Sequence, residues 1–175
     1  NYGEARRINA GSPEPLWTGG FNTELSWRGI SLGIQLEARY GNKVLNQDRS
    51  LFEADGSYGD SNIWKGAMNY WKKPGDTNVL PKPVYNNSSN SSAISTRYLE
   101  DGSYLRIKDI TLAYSLPSKW TKKALMSGVR IYASALNLYT FHNMNYWDPE
   151  HGTSGVTIIS YPMTRSMIVG VDITF

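Results

Sequence analysis

The sequence predicts an all-β fold, an antiparallel meander of about five long strands forming part of a large transmembrane β-barrel with long extracellular loops. Three observations carry this prediction. Apolar residues recur at every second position in several long stretches, which is the period of a strand and not of a helix. Aromatic residues stand at both ends of the clearest stretch, at a spacing that matches the apolar belt of a bilayer. The connections alternate between tight turns and long polar loops, the asymmetry of outer-membrane barrels.

The first two strands lie near 15–28 and 30–41. Ile30, Leu32, Ile34, Leu36, Ala38 and Tyr40 alternate with Ser31, Gly33, Gln35, Glu37 and Arg39 without a miss. Trp17, Phe21, Leu25 and Trp27 share one parity, with Thr18, Asn22, Glu24 and Ser26 on the other. Arg28-Gly29 between them reads as a two-residue hairpin turn. The flanking residues of such a turn pair on one face, so Trp27 should face Ile30, Leu25 face Leu32, Thr23 face Ile34, Phe21 face Leu36 and Trp17 face Tyr40, every pair but Thr23–Ile34 being apolar with apolar. The opposite face then pairs Ser26 with Ser31, Asn22 with Gln35 and Thr18 with Arg39. Trp17 and Trp27 are ten residues apart, roughly 33 Å along a strand. A tilt of about 40° turns this into a rise of roughly 25 Å, the height of a lipid-facing band between aromatic girdles. A soluble β-sandwich also alternates, but its strands are usually about 5–6 residues long.

Three further strands follow. Residues 104–116 place Ile110, Leu112, Tyr114 and Leu116 opposite Asp109, Thr111, Ala113 and Ser115. Residues 128–141 are extended, with unclear parity around Ser134–Leu136, where a bulge would explain the break. Residues 161–175 end on "VGVDITF", with Met167, Val169, Val171, Ile173 and Phe175 on one face and Gly170, Asp172 and Thr174 on the other. Tyr161 is expected at one rim and Phe175 at the other. The polar parity assigns Glu24, Glu37, Arg39 and Asp172 to the lumen or its wall.

The connections are 42–103 and 142–160, both long, and 117–127, short, with one helical turn expected after Pro117. Long loops face outside in such barrels, which sets the C-terminus on the periplasmic side. Within the first loop, "SNIWKGAMNYWKK" (61–73) reads as a short helix capped by Ser61 or Asn62 and ended by Pro74-Gly75. "YNNSSNSS" (85–92) is a polar low-complexity tract whose N-x-S sequons read as chance. The start, "NYGEARRINAG", carries no signal peptide and reads like mid-chain sequence, so the parent's N-terminus is expected to be missing.

Composition narrows the function classes. The 175 residues include 12 Tyr, 6 Trp and 16 Gly but only 4 Phe, and Tyr and Trp suit boundaries that are apolar on one side and wet on the other. A net charge of +3, with the basic residues dispersed, argues against a nucleic-acid groove. The absence of Cys removes disulfides, zinc ribbons and thiol nucleophiles. No apolar run is long enough for a transmembrane helix, which does not bear on a barrel. No catalytic set is present, so an enzyme is not expected. The two histidines, His142 and His151, share the 142–160 loop with Asp148 and Glu150, and a His–carboxylate or calcium site there lacks convincing ligand spacing. The stretches "ADGS" (54–57) and "EDGS" (100–103) read as turns. No cofactor or metal is called for.

Taken in order, "GSPEPLWTGGFNTELSWRGISLGIQLEARYGNKVLN", "YWKKPGDT", "RYLEDGSYLRIKDITLAYSLP", "RIYASALNLYTF", "DPE" and the final aromatic strand resemble the C-terminal end of SusC/RagA-type TonB-dependent outer-membrane transporters. The resemblance implies a barrel of about 22 strands with a plug domain, energised by TonB through a TonB box in the missing N-terminal region. It also implies a SusD-like surface lipoprotein as partner, location in the outer membrane of a Bacteroidetes-type bacterium, and import of oligosaccharides or peptides. Plug, TonB box and most strands lie outside this chain, so 1–175 is expected to be unstable alone, with open strand edges. The terminal Phe resembles the signal read by the outer-membrane insertion machinery.

Candidate substrate contacts are Trp64, Tyr70 and Trp71 in the first loop and Tyr146 and Trp147 in the second, whose rings could stack on sugars or a peptide. Packing between loops, or against the lipoprotein, is the competing reading for the same rings. At the level of the whole protein the alternatives are a soluble β-rich glycan-binding module and a passive porin-type channel.

Overall fold

The computed structural model describes residues 2–59, 62–77, 79–150, 154–159, 161 and 163–175. The strands in chain order are β1 (Trp17–Trp27), β2 (Ile30–Tyr40), β3 (Lys43–Asn46), β4 (Leu99–Asp101), β5 (Tyr104–Ser115), β6 (Gly128–His142), β7 (Val156–Thr157) and β8 (Ser166–Thr174). Two short α-helices, α1 (Gln47–Glu53) and α2 (Ser118–Thr121), accompany them. The chain divides into two compact units, one drawn from 15–42, 102–150 and 161–175, the other from 1–14, 43–101 and 151–160.

The first unit is a five-stranded antiparallel sheet in the order β1-β2-β5-β6-β8. Its opening hairpin has the expected register throughout, from Trp27↔Ile30 at the turn to Trp17↔Tyr40 at the far end. Arg28 and Gly29 both have positive φ, 48° and 87°, the backbone of a type I′ turn that matches the twist of the flanking strands. A side chain at residue 29 would also meet the Ser115 carbonyl oxygen at 2.8 Å. The tight connection after β5 contains the expected helical turn, α2, directly after Pro117.

One face of this sheet is apolar and open. Trp17, Phe21, Leu25, Trp27, Tyr40, Leu112, Phe141, Met167, Val169 and Val171 are all exposed, Trp27 at 67% and Val169 at 78%. A contiguous apolar surface of this extent far exceeds what a water-facing protein carries. It is the outer face of a barrel wall, with aromatics at both rims. Among the described residues no helix is long and apolar enough to cross a membrane; the crossing elements are strands.

The opposite face is polar and hydrogen-bonded. The Thr111 hydroxyl donates to Asp109 Oδ1 at 2.9 Å, and the Ser134 hydroxyl to Asp109 Oδ2 at 2.9 Å. Arg130 pairs with Asp172 at 3.4 Å. Gly170 sits beneath the Tyr132 ring, where a Cβ would come within 2.4 Å of it.

Two bulges interrupt the alternation. Lys108 of β5 is skipped in its pairing with β2, where Gln35↔Asp109 is followed by Leu36↔Ile107. Against it, Asn137 and Leu138 of β6 are skipped between Leu136↔Asp109 and Tyr139↔Ile107, with Asn137 at φ 50°. The irregularity suspected near Ser134–Leu136 thus falls just beyond Leu136. One inserted residue in β5 flips its parity, so Tyr104 and Arg106 join the polar face while Leu105 and Ile107 join the apolar one.

The final strand is shorter than the expected 161–175. Its ladder with β6 ends at Leu136↔Ser166, because beyond that pair the Asn137 side-chain amide donates to the Thr164 carbonyl instead, at 3.2 Å. Tyr161 therefore lies outside the strand it was expected to cap.

The second unit is more ordered than a loop reading allowed. It holds a three-stranded sheet in the order β4-β3-β7, with β3 antiparallel to β4 and parallel to β7. Asn46 caps α1 by accepting from the Arg49 amide at 3.4 Å. The centre is ionic. Arg49 pairs with Glu53 and Glu100, both at 2.7 Å, and Arg97 pairs with Glu53 at 3.0 Å and with Asp55. Both guanidiniums lie against the ring of fully buried Tyr98. Burial works against the Arg97 charge, but hydrogen bonding to Asp55 and the nearby carboxylates outweigh it and hold its pKa above the usual value.

The helix expected over 61–73 is reduced to a 3₁₀ turn at Lys65–Met68. After it, Leu80 N donates to the Asn69 carbonyl at 2.9 Å and Trp71 N to the Leu80 carbonyl at 2.8 Å, which pulls the chain straight. Of the two expected caps, Ser61 lies outside the described residues.

Candidate functional site

The best-defined polar site of the sheet unit grows from the β5 bulge. By turning Arg106 inward, Lys108 places a guanidinium where the segment after β6 passes over the wall. Arg106 is fully buried, and it donates through Nη2 to Asp148 and through Nη1 to Glu150. Its Nε donates to the Thr140 hydroxyl at 2.9 Å, and its plane lies 5.3 Å from the centre of the Tyr104 ring. The Tyr104 hydroxyl donates to Glu37 at 2.8 Å. Lys108 links Glu37, at 3.1 Å, to Glu150, at 3.4 Å. Glu150 N closes the turn by donating to Asp148 Oδ1 at 2.8 Å, around fully buried Pro149.

This network ties "DPE" to "YLRIKD". The carboxylates considered for calcium, Asp148 and Glu150, are instead bound by Arg106. Among the described residues no group of His, Cys, Asp and Glu could hold a metal ion. His142 ends β6 beside this network; His151 lies outside the described residues.

Next to the network is a cavity of about 300 Å³. Asn137, Thr140 and His142 of β6 form one wall, and Tyr146, Trp147 and Asp148 another. Met163 and Arg165, just ahead of β8, complete it. Tyr146 has φ 69°, so the chain turns sharply here, and it is exposed while Trp147 is half-buried. Two of the five expected stacking residues therefore line one concave site. Trp64, Tyr70 and Trp71 belong to the other unit. There the Trp64 ring packs over Gly66, Lys72 Nζ sits 5.4 Å from the centre of the Tyr70 ring, and Trp64 and Trp71 are partly exposed.

Sequence reading missed Arg106 and Arg165. Strict alternation puts Arg106 on the wrong face once the Lys108 bulge goes unrecognised. Arg165 was absorbed into a strand that in fact begins one residue later.

No family model matches the chain. The TonB-dependent receptor P3 of Formosa agariphila is 30% identical over 182 residues, covering 98% of this chain and 17% of that protein. The TonB-dependent receptor P26 of the same organism is 27% identical over 179 residues, covering 94% of this chain and 17% of that protein. The TonB-dependent receptor SusC of Bacteroides thetaiotaomicron is 28% identical over 89 residues, covering 50% of this chain and 9% of that protein. Among solved structures, the RagAB peptide importer in its closed-closed state superposes with a TM-score of 0.80 at 31% identity, over 95% of this chain and 18% of that one. The open-open state gives a TM-score of 0.73 at 27% identity, over 97% and 19%. The chain thus spans 17% of the length of the first two relatives. Its register, its open apolar face and these matches agree: the chain is similar over nearly its whole length to a stretch of the β-barrel of TonB-dependent receptors of the SusC/RagA type.

Proposed function

We propose that this chain forms part of the wall and extracellular loops of an outer-membrane transporter that imports oligosaccharides or peptides on energy delivered by TonB, with a SusD-like surface lipoprotein as partner. The observation that carries this reading is the sheet with one open apolar face and one polar, hydrogen-bonded face, which suits lipid on one side and an aqueous lumen on the other. In this reading the loops 42–103 and 142–160 face outside, and Tyr146 and Trp147 stack on the solute. A soluble glycan-binding module is disfavoured by the same face, which such a module would have to bury.

A passive channel shares the architecture and differs in energetics. Uptake by cells expressing the parent protein, compared with and without TonB, separates the two. Uptake that stops without TonB supports active import; uptake that continues unchanged points to a passive channel.

A further inference from the structure

The geometry points to a carboxylate-recognition subsite in the cavity between β6 and the 145–148 turn, with Arg165 as its anchor; the inference rests on the import reading above. The polar network beside the cavity is already balanced without Arg165. Arg39, Arg106 and Lys108 stand against Glu37, Asp148 and Glu150, with Arg39 and Arg106 both lying near the Tyr104 ring. Asp148, the one carboxylate on the cavity wall, is held by Arg106 and by the Glu150 amide. Arg165 forms no ion pair among the described residues, yet it lines the cavity. The cavity is therefore left with an unmatched guanidinium.

Two more groups define what sits beside that charge. The Thr140 hydroxyl accepts from Arg106, which leaves its own proton to donate. Asn137 Oδ1 is buried and accepts no hydrogen bond from the described residues, while Nδ2 is used on the Thr164 carbonyl. A ligand that satisfies the site brings acceptor oxygens to Arg165 and Thr140 and an N–H or O–H donor to Asn137. Its apolar or ring portion lies against Tyr146 and Trp147. A carboxylate on a short chain has this chemistry, and guanidinium binds carboxylate through paired hydrogen bonds. Uronic-acid saccharides and peptides with a free carboxylate both qualify.

The test uses the purified full-length parent with its lipoprotein partner, titrated calorimetrically with two matched pairs. One pair is trigalacturonate and its carboxyl-reduced neutral counterpart; the other is a tripeptide with a free C-terminal carboxylate and the same tripeptide amidated. In at least one pair the anionic member should bind about tenfold more tightly, the loss expected for one charge-assisted contact. Arg165→Gln should shrink that preference below about twofold, and Arg165→Lys should keep part of it. The pair that discriminates identifies the ligand source. Equal binding within both pairs, no binding of any probe, or a preference unchanged in Arg165→Gln would overturn the assignment. If TonB-dependent uptake persists without an anion preference, only this subsite fails; if no TonB-dependent uptake exists, the import reading fails as well.

Discussion

Arg106 joins two stretches of chain that lie 42 residues apart, donating to both Asp148 and Glu150 from a side chain with no solvent exposure. The loop that carries Tyr146 and Trp147 is thereby fixed to the barrel wall at its base. Arg106→Met removes the shared cation and leaves two partly buried carboxylates without it. The cost should be about 3 kcal/mol, as for a buried pair broken on one side. Hydrogen exchange of the full-length protein should show faster exchange across 143–150, with the hairpin at 17–40 unchanged. Unchanged exchange at 143–150 would mean the ion pairs do not hold the loop.

Lys108 is the residue of β5 left out of its pairing with β2. Deleting it removes the bulge without turning the strand, because Ile107 and Asp109 already pair with the adjacent residues Leu36 and Gln35, so Tyr104 and Arg106 keep the polar face. The deletion should therefore leave the parent protein in outer-membrane fractions, as should Lys108→Gln, and loss of the deletion variant alone would contradict this register. Immunoblots of the fractions read both results.

Tyr98 gives the second unit an alkaline limit. Burial is the main cause that pushes its phenol from 10.0 up to about 12, so the folded unit keeps the proton longer than the unfolded chain. The linked stability is constant below pH 10 and falls as pH rises toward 12. The hydroxyl has no hydrogen-bond partner among the described residues, so Tyr98→Phe should be neutral at pH 7 or stabilising by up to about 1 kcal/mol. It should also weaken the alkaline loss of protease resistance in 43–101. A variant that loses resistance as steeply as the parent would show that Tyr98 does not set the limit.

The legible parts of this fold follow one rule closely. In 17–40 a two-residue turn fixes the register and the pairs obey alternation apart from Thr23 opposite Ile34 and Gly19 opposite Ala38, so even individual partners can be named. In 104–142 a single inserted lysine and a pair at 137–138 break the rule, and nothing local in "RIKDI" signals that the parity changes there. The second unit was read as loop because charges hold its centre together: Arg49 and Arg97 among Glu53, Asp55 and Glu100 leave no apolar period to detect. Tyr146 and Trp147 stand out from residue type alone, whereas Arg165 gains meaning only once the cavity is seen.

The central claim is that the open apolar face meets lipid and the networked face meets water. Ile34 and Gln35 are neighbours in β2 on opposite faces, pairing with Ile110 and Asp109 in β5. The most direct measurement is the amount of full-length Ile34→Arg and Gln35→Arg protein folded in the outer membrane. Ile34→Arg should assemble poorly, at a cost of about 2–4 kcal/mol, while Gln35→Arg should match the unaltered protein. Equal assembly of the two variants would contradict the assignment of faces, and with it the reading of this sheet as a barrel wall.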